Sequence, residues 1–163
     1  MTVHSDQPFD PDNDKCGPGV RVPPPMMVAG SILLGVGLNL IVPLTLSTLV
    51  YWPGVFLMAV AVCLALACVW QFWRAKTHIE PWQPTSRIIV SGVYRFSRNP
   101  IYLAMFVFQV GLGLWLLNGW VVLCGSVTLR LLSYFAIRKE EAYLLAKFGD
   151  DYQTYMQQVR RWF

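Results

Sequence analysis

VPPPMMVAGSILLGVGLNLIVPLTLSTLVYWPGVFLMAVAVCLALACVWQFW, residues 22–73, contains 52 consecutive positions without a charged side chain. At about 20 residues per crossing of a bilayer core, that is enough for two membrane spans. A second charge-free stretch, NPIYLAMFVFQVGLGLWLLNGWVVLCGSVTL, covers 31 positions at 99–129. It is enough for one to two more. In the whole chain of 163 residues, 55% are apolar and 13% are charged, with a net charge of +4. The charged share is about half that of an ordinary soluble domain. Disorder is excluded for most of the chain, because the apolar fraction is too high and the net charge too low. The reading is an all-α integral membrane protein: one helix bundle of about four transmembrane helices.

Outward from these runs, the chain divides by composition and turn signals. Residues 1–25 read as a mostly flexible tail that ends in the stiff Pro23-Pro24-Pro25 entry. The first span covers about 26–46, where Gly30, Gly35 and Gly37 are small enough to let a neighbouring helix approach. Pro43 is expected to kink or end it. Tyr51-Trp52-Pro53-Gly54 reads as a tight turn with interfacial aromatics, and the second span as about 55–73, ending near Trp70 and Trp73. A polar connector, 74–99, precedes a third span at about 101–117. Asn118-Gly119 is a minimal turn into a fourth span at about 120–137. Residues 26–163 thus form a single membrane domain. The tail, 138–163, reads as two short amphipathic helices on the membrane face, broken at Gly149, the second capped by Asp150. Their apolar stripe is Leu144, Leu145, Phe148, Tyr152, Tyr155, Met156 and Val159.

Lysine and arginine set the expected orientation. The turns at 47–54 and 118–119 hold none. The connector holds Arg74, Lys76, Arg87, Arg95 and Arg98 against one acid, Glu80, and the C-terminal tail holds five more basic residues. Both termini and the connector are therefore expected in the cytoplasm, with the bacterial inner membrane as the expected location. The basic excess reads either as topology alone or as attraction for anionic lipid headgroups. The first 25 residues carry Asp6, Asp10, Asp12 and Asp14 and no apolar core of a signal peptide. Cys16, Cys63, Cys68 and Cys124 form no CxxC or Cys/His cluster, so no metal or redox site is expected. His4 and His78 read as isolated loop histidines.

Two segments carry the chemistry. One is Ser91-Gly92-Val93-Tyr94-Arg95-Phe96-Ser97-Arg98-Asn99-Pro100-Ile101-Tyr102. The other is Arg138-Lys139-Glu140-Glu141, followed by Phe148-Gly149-Asp150-Asp151-Tyr152 and Tyr155. Each alone reads equally as interfacial anchors and a helix stop. Their separation changes the weighing. Tyr102 and Glu140 are 38 residues apart, roughly 57 Å of helix or about two crossings of the core. The hairpin through Asn118-Gly119 therefore returns both to one face. An acidic pair, two arginines, tyrosines and an amide would converge there, which suits a ligand with both cationic and carboxylate groups.

The pattern G-V-Y-R-x-S-R-N-P-I-Y, then E-E-x-x-L-x-x-x-F-G-x-x-Y-x-x-Y, resembles the isoprenylcysteine carboxyl methyltransferase family. These are membrane methyltransferases that use S-adenosyl-L-methionine, and they are related more distantly to phospholipid N-methyltransferases. The resemblance covers about residues 76–162. It implies that Ser86, Arg87, Ile88 and Ile89 line the cofactor and that Tyr94 lies beside it. It implies that Asn99, Pro100, Ile101 and Tyr102 wrap the cofactor and that Glu140 or Glu141 binds it. Arg98, Tyr102 and Glu141 are the residues expected to take part in catalysis. Asn99 stands where eukaryotic members have histidine; it hydrogen-bonds but takes no proton near neutral pH. The family arginine one turn before the acidic pair has no counterpart, since that position falls near Ala136.

Arg130 lies mid-way along the fourth span, where a charge is costly. Arg130, Tyr134, Arg138 and Glu141 follow i, i+4, i+8 and i+11, so an unbroken helix places them on one face. Arg130 reads either as a snorkelling or internally paired arginine, or as part of a substrate-binding set with Tyr134 and Arg138. The expected activity is methyl transfer to a lipophilic acceptor, a prenylcysteine-like carboxylate or a lipid amine or thiol, at the cytoplasmic face. The expected partners are that acceptor and membrane lipids, not nucleic acid. A non-catalytic membrane scaffold or lipid-binding protein on the same framework is the alternative from another class.

Overall fold

The computed structural model describes residues 18–20, 22–77, 83 and 85–162. Residues 1–17 and 21 of the expected N-terminal tail, His4 and Cys16 among them, lie outside these, as do His78 and Glu80. Five helices occur in order: α1 (Pro24–Ile41), α2 (Tyr51–Ala75), α3 (Pro100–Trp115), α4 (Gly119–Leu132) and α5 (Arg138–Gln158). No strand occurs among the described residues. α1, α2 and the helical run 119–158 are long and apolar enough to cross a membrane. α3 is apolar but has 16 residues, about 24 Å of helix, short of a ~30 Å core.

In space, α2 packs on α3, α3 on α4, and α4 on α1, while α1 and α2 hardly meet. The α2–α3 seam is set by two glycines. A Cβ on Gly111 would lie 2.8 Å from the Gly54 carbonyl oxygen and 2.9 Å from the Met58 nitrogen. Gly111→Ala must therefore push two backbones apart. It is expected to cost about 1–3 kcal/mol, read as a fall in the thermal midpoint in detergent. Gly30→Ala, which meets nothing within 4 Å, should leave that midpoint unchanged or raise it. Of the three glycines expected to admit a neighbour in α1, only Gly35 does so: its Cβ would meet the Val121 backbone at 2.8 Å, whereas Gly30 and Gly37 face open space.

Two other details differ from expectation. Tyr51-Trp52-Pro53-Gly54 is the first turn of α2, not a loop. A proline fits there because the first N–H groups of a helix have no intrahelical partner. The loop lies earlier, at 42–50, after α1 has ended two residues before Pro43. Pro24 and Pro25 likewise open α1 and do not precede it. The two basic-free turns lie together at one end: Gly119 donates to the Leu44 carbonyl at 2.8 Å and Leu46 to the Leu117 carbonyl at 2.9 Å. Within the bundle, Gln109 is 1% exposed. Its amide donates to Ser31 Oγ at 2.8 Å and to the Val121 carbonyl at 3.3 Å, tying α3 to α1 and α4.

The helix of the fourth span continues past Ile137. A π-helical turn, Ser133–Ile137, carries the helix on into α5. Ser133 Oγ donates to the Leu129 carbonyl at 2.9 Å, a side-chain bond that loosens a helix locally. Apolar composition stops at Ile137, so the polar α5 continues beyond the membrane. Gly149 has φ 51° and ψ −124°, a conformation glycine adopts without Cβ strain. The helix breaks there as expected. Much of the tail stripe is covered by protein. Tyr152, Tyr155 and Val159 are buried against Ile88 of the connector, with Leu144, Phe148 and Met156 around them.

Candidate active site

Proline opens the site. Pro100 presets the first turn of α3, with Asn99 at the cap position. The Asn99 side chain does not cap the helix. It donates to the Arg161 carbonyl at 3.3 Å, which also accepts from Ser97 Oγ at 3.1 Å, while the Arg98 amide donates to the Arg160 carbonyl at 3.1 Å. The C-terminal segment is thereby stitched to the residues just before α3. Two helical positions later, Tyr102 is 4% exposed, and its hydroxyl donates to Glu140 Oε1. The hairpin thus joins the two motifs directly.

The acidic pair divides in two. Glu141 is buried between two guanidinium groups. Arg98 Nη1 lies 3.1 Å from its Oε1, and Arg161 donates to both carboxylate oxygens, from Nε at 3.1 Å and from Nη2. Glu140 has no cation of its own among the described residues and faces a cavity. Desolvation, and secondarily the negative Glu141 beside it, raise its carboxyl from 4.5 to about 7, against the opposing hydrogen bond from Tyr102. Arg98 lines the same cavity, and its Nε is buried without a hydrogen-bond acceptor.

The connector forms the opposite wall. Gly92 turns with φ +60°, and a Cβ there would strike the Gln71 side chain at 2.7 Å. The Gln71 amide, oriented to satisfy both neighbours, donates to the Ser91 carbonyl and accepts from the Val93 amide. Tyr94 comes next, edge-on to Phe72 at 5.8 Å, its carbonyl accepting from Tyr155 Oη at 2.6 Å. Burial pushes the phenols of Tyr94, Tyr152 and Tyr155 up, Tyr152 to about 12. All three stay protonated near neutrality and act as donors, not bases.

About 760 Å³ of space free of protein atoms, the open solvent at its mouth included, lies in the cavity. Arg87, Ile88, Ile89, Tyr94, Arg98, Asn99, Ile101, Tyr102 and Glu140 line it. Three expected residues do not. Ser86 instead bonds Thr77 and the Lys76 carbonyl at the end of α2, Pro100 is in the helix turn behind, and Glu141 is held in the ion pair. Arg130, Tyr134 and Arg138 are exposed on the outer face of the helix. The π-turn interrupts the helix phase between Arg130 and Arg138, and Glu141, three residues beyond Arg138 in α5, is buried where the other three are exposed.

Sequence reading did not single out Thr85, Leu144 or Phe72 on the wall, nor Arg161. Arg161 stands 20 residues beyond its partner and across a chain reversal, so no local spacing marks it. A second, apolar groove of about 770 Å³ lies between α1 and α2, floored by α3. Ile101 lines both spaces.

Comparison with known proteins agrees with this geometry. Protein-S-isoprenylcysteine O-methyltransferase of Schizosaccharomyces pombe is 30% identical over 107 residues, 59% of this chain and 45% of that protein. This chain therefore matches under half the length of the yeast enzyme. An uncharacterized protein of Haemophilus influenzae is 39% identical over 62 residues, 38% of this chain and 98% of its own. The model of the phospholipid methyltransferase family matches residues 49–151, which include most of the residues that line the cavity, and the chain belongs to that family.

Proposed function

We propose that the protein transfers a methyl group from S-adenosyl-L-methionine to a lipophilic acceptor at the cytoplasmic membrane face. One observation carries this reading. Glu140 and Arg98, one acid and one base, face a single cavity that adjoins an apolar groove at Ile101. The cofactor carries a carboxylate together with ammonium and sulfonium charges, so it needs both. The buried, unaccepted Nε of Arg98 is a donor for the carboxylate. Glu140 is the acceptor for the cationic end or the ribose hydroxyls, with Tyr102 fixing its orientation.

When bound, the cofactor would supply an activated methyl group for in-line transfer to the acceptor, the pair of the broken carbon–sulfur bond staying on sulfur. The chain's task is then to align the two reactants and exclude water. The tail does this by laying Tyr152 and Tyr155 over the connector. The apolar groove would hold the acceptor's hydrocarbon chain, and Ile101 marks where its head meets the cavity. A carboxylate acceptor needs no base. An amine must lose a proton before it attacks. Lys and Arg cluster at the cavity end, which supports the cytoplasmic assignment.

Calorimetric titration of the purified protein in detergent with S-adenosyl-L-methionine tests the reading. Saturable binding with one site is expected, followed by label in the lipid phase when methyl-labelled cofactor and extracted bacterial lipids are supplied. Absence of binding to the folded protein overturns it, and binding without any transfer leaves the lipid-binding scaffold in its place.

A further inference from the structure

Arg130 is a lipid-facing charge with no internal partner. It is exposed on α4, 11 residues from Gly119 and eight from Arg138, so about 17 Å and 12 Å from the two ends of the span. Leu123, Val127 and Leu131 around it are also exposed, so its surroundings are acyl chains. Among the described residues it makes no hydrogen bond or ion pair. One turn on, Tyr134 is 59% exposed. One turn further, Arg138 folds back so that its guanidinium carbon lies 5.0 Å from the centre of the Tyr134 ring.

We propose that Arg130, Tyr134 and Arg138 form a binding site for an anionic phospholipid of the cytoplasmic leaflet. A charge at this depth is costly unless it is neutralised. A second copy of the chain offers no carboxylate for it, because Glu80, in the connector, is the only acid between Val22 and Lys139. A soluble anion does not reach lipid-facing residues at this depth. A lipid phosphodiester does: it rests just above Tyr134, where Arg138 meets it from the interface and a snorkelling Arg130 meets it from below. The Tyr134 hydroxyl is a third donor, and the acyl chains run along Leu131, Val127 and Leu123 down the helix. This face is separate from the cavity of Glu140, so the lipid is held there and not methylated.

The test uses the full chain in nanodiscs of phosphatidylcholine with increasing phosphatidylglycerol, read by thermal midpoint and by lipid retention in native mass spectrometry. Wild type is expected to retain phosphatidylglycerol in preference to phosphatidylcholine and to gain thermal stability with it. The double variant Arg130→Gln/Arg138→Gln should lose about thirtyfold in that preference, at about one charge's worth of surface attraction per arginine. Arg74→Gln, a basic side chain stacked on Trp70 at the same membrane face, should keep it. The proposal fails if wild type shows no preference, since that measurement needs no variant to fold. It also fails if the double variant retains phosphatidylglycerol as wild type does. A change of oligomeric state in Arg130→Gln would make this face a protein contact. Loss of methyl transfer with lipid retention intact would make it part of the acceptor site. Either outcome overturns the lipid site.

Discussion

Glu141→Ala should destabilise the protein by about 3–5 kcal/mol, the cost of leaving a buried charge without its partner. The carboxylate is 8% exposed. Its removal strands Arg98, whose side chain is 10% exposed and whose Nε already lacks an acceptor. Arg161 is 35% exposed, so water takes over its charge more readily. Arg161→Ala should cost only about 1 kcal/mol, and less in high salt. The carbonyl that holds Ser97 and Asn99 is retained in that variant. Glu141→Gln, which keeps an acceptor for Arg161 but not the charge, should fall between the two. Denaturant unfolding in mixed micelles gives all three values. If Glu141→Ala is within 1 kcal/mol of wild type, the carboxylate is not holding the two guanidiniums, and the stitched C-terminal segment must be secured by its backbone bonds alone. The ion pair also separates the roles of the two acids. Glu141 holds the frame and Glu140 faces the cavity, although the two are adjacent in sequence.

That division was not legible from the residues, whereas the meeting of the motifs was. Charge-free runs report burial in lipid directly, because any ionised side chain there carries a desolvation cost. The spans, and the pairing of Tyr102 with Glu140 across 38 residues, come from helix rise and bilayer thickness alone. Helix phase is more fragile. The shared face of Arg130, Tyr134, Arg138 and Glu141 assumes 3.6 residues per turn throughout. One π-helical turn, which has no residue signature beyond a serine able to bond back to Leu129, interrupts that phase between Arg130 and Arg138, and Glu141 is buried while the other three are exposed. Small residues mislead in a similar way: Gly30, Gly35 and Gly37 look alike in sequence, but only Gly35 meets a neighbour. Amphipathic stripes state that a face is covered without stating by what. The stripe at 144–159 packs in large part on itself and on Ile88 of the connector, with Leu145 left exposed. Those two misreadings have one cause, tertiary partners that are distant in the chain.

Affinity for S-adenosyl-L-methionine should fall about tenfold per pH unit below about 7, reaching roughly 300-fold weaker near pH 4.5. The ligand-free Glu140 carboxyl is raised from 4.5 to about 7 by desolvation and by Glu141. Tyr102 from α3, Tyr94 from the connector and Arg98 face it across the cavity. A cationic ligand needs the ionised form and returns the carboxyl toward its ordinary value, so binding at pH 6 must expel a proton. The same shift acts on the ligand-free fold with the opposite sense. A carboxyl whose folded pKa is raised adds stability below its unfolded value, about 4.5, and loses it as pH rises through about 7, a change of about 3 kcal/mol. Lowering pH therefore strengthens the empty protein while weakening binding. Glu140→Gln should abolish both slopes, and its cofactor affinity should equal that of wild type near pH 5, where wild type is itself protonated. Any histidine contribution survives the substitution and cancels in the comparison. Calorimetry at pH 5, 6, 7 and 8, in two buffers of different ionisation enthalpy, counts the expelled proton directly. Parallel pH slopes for wild type and Glu140→Gln would show that the proton belongs to another group and that Glu140 is not the cation's partner.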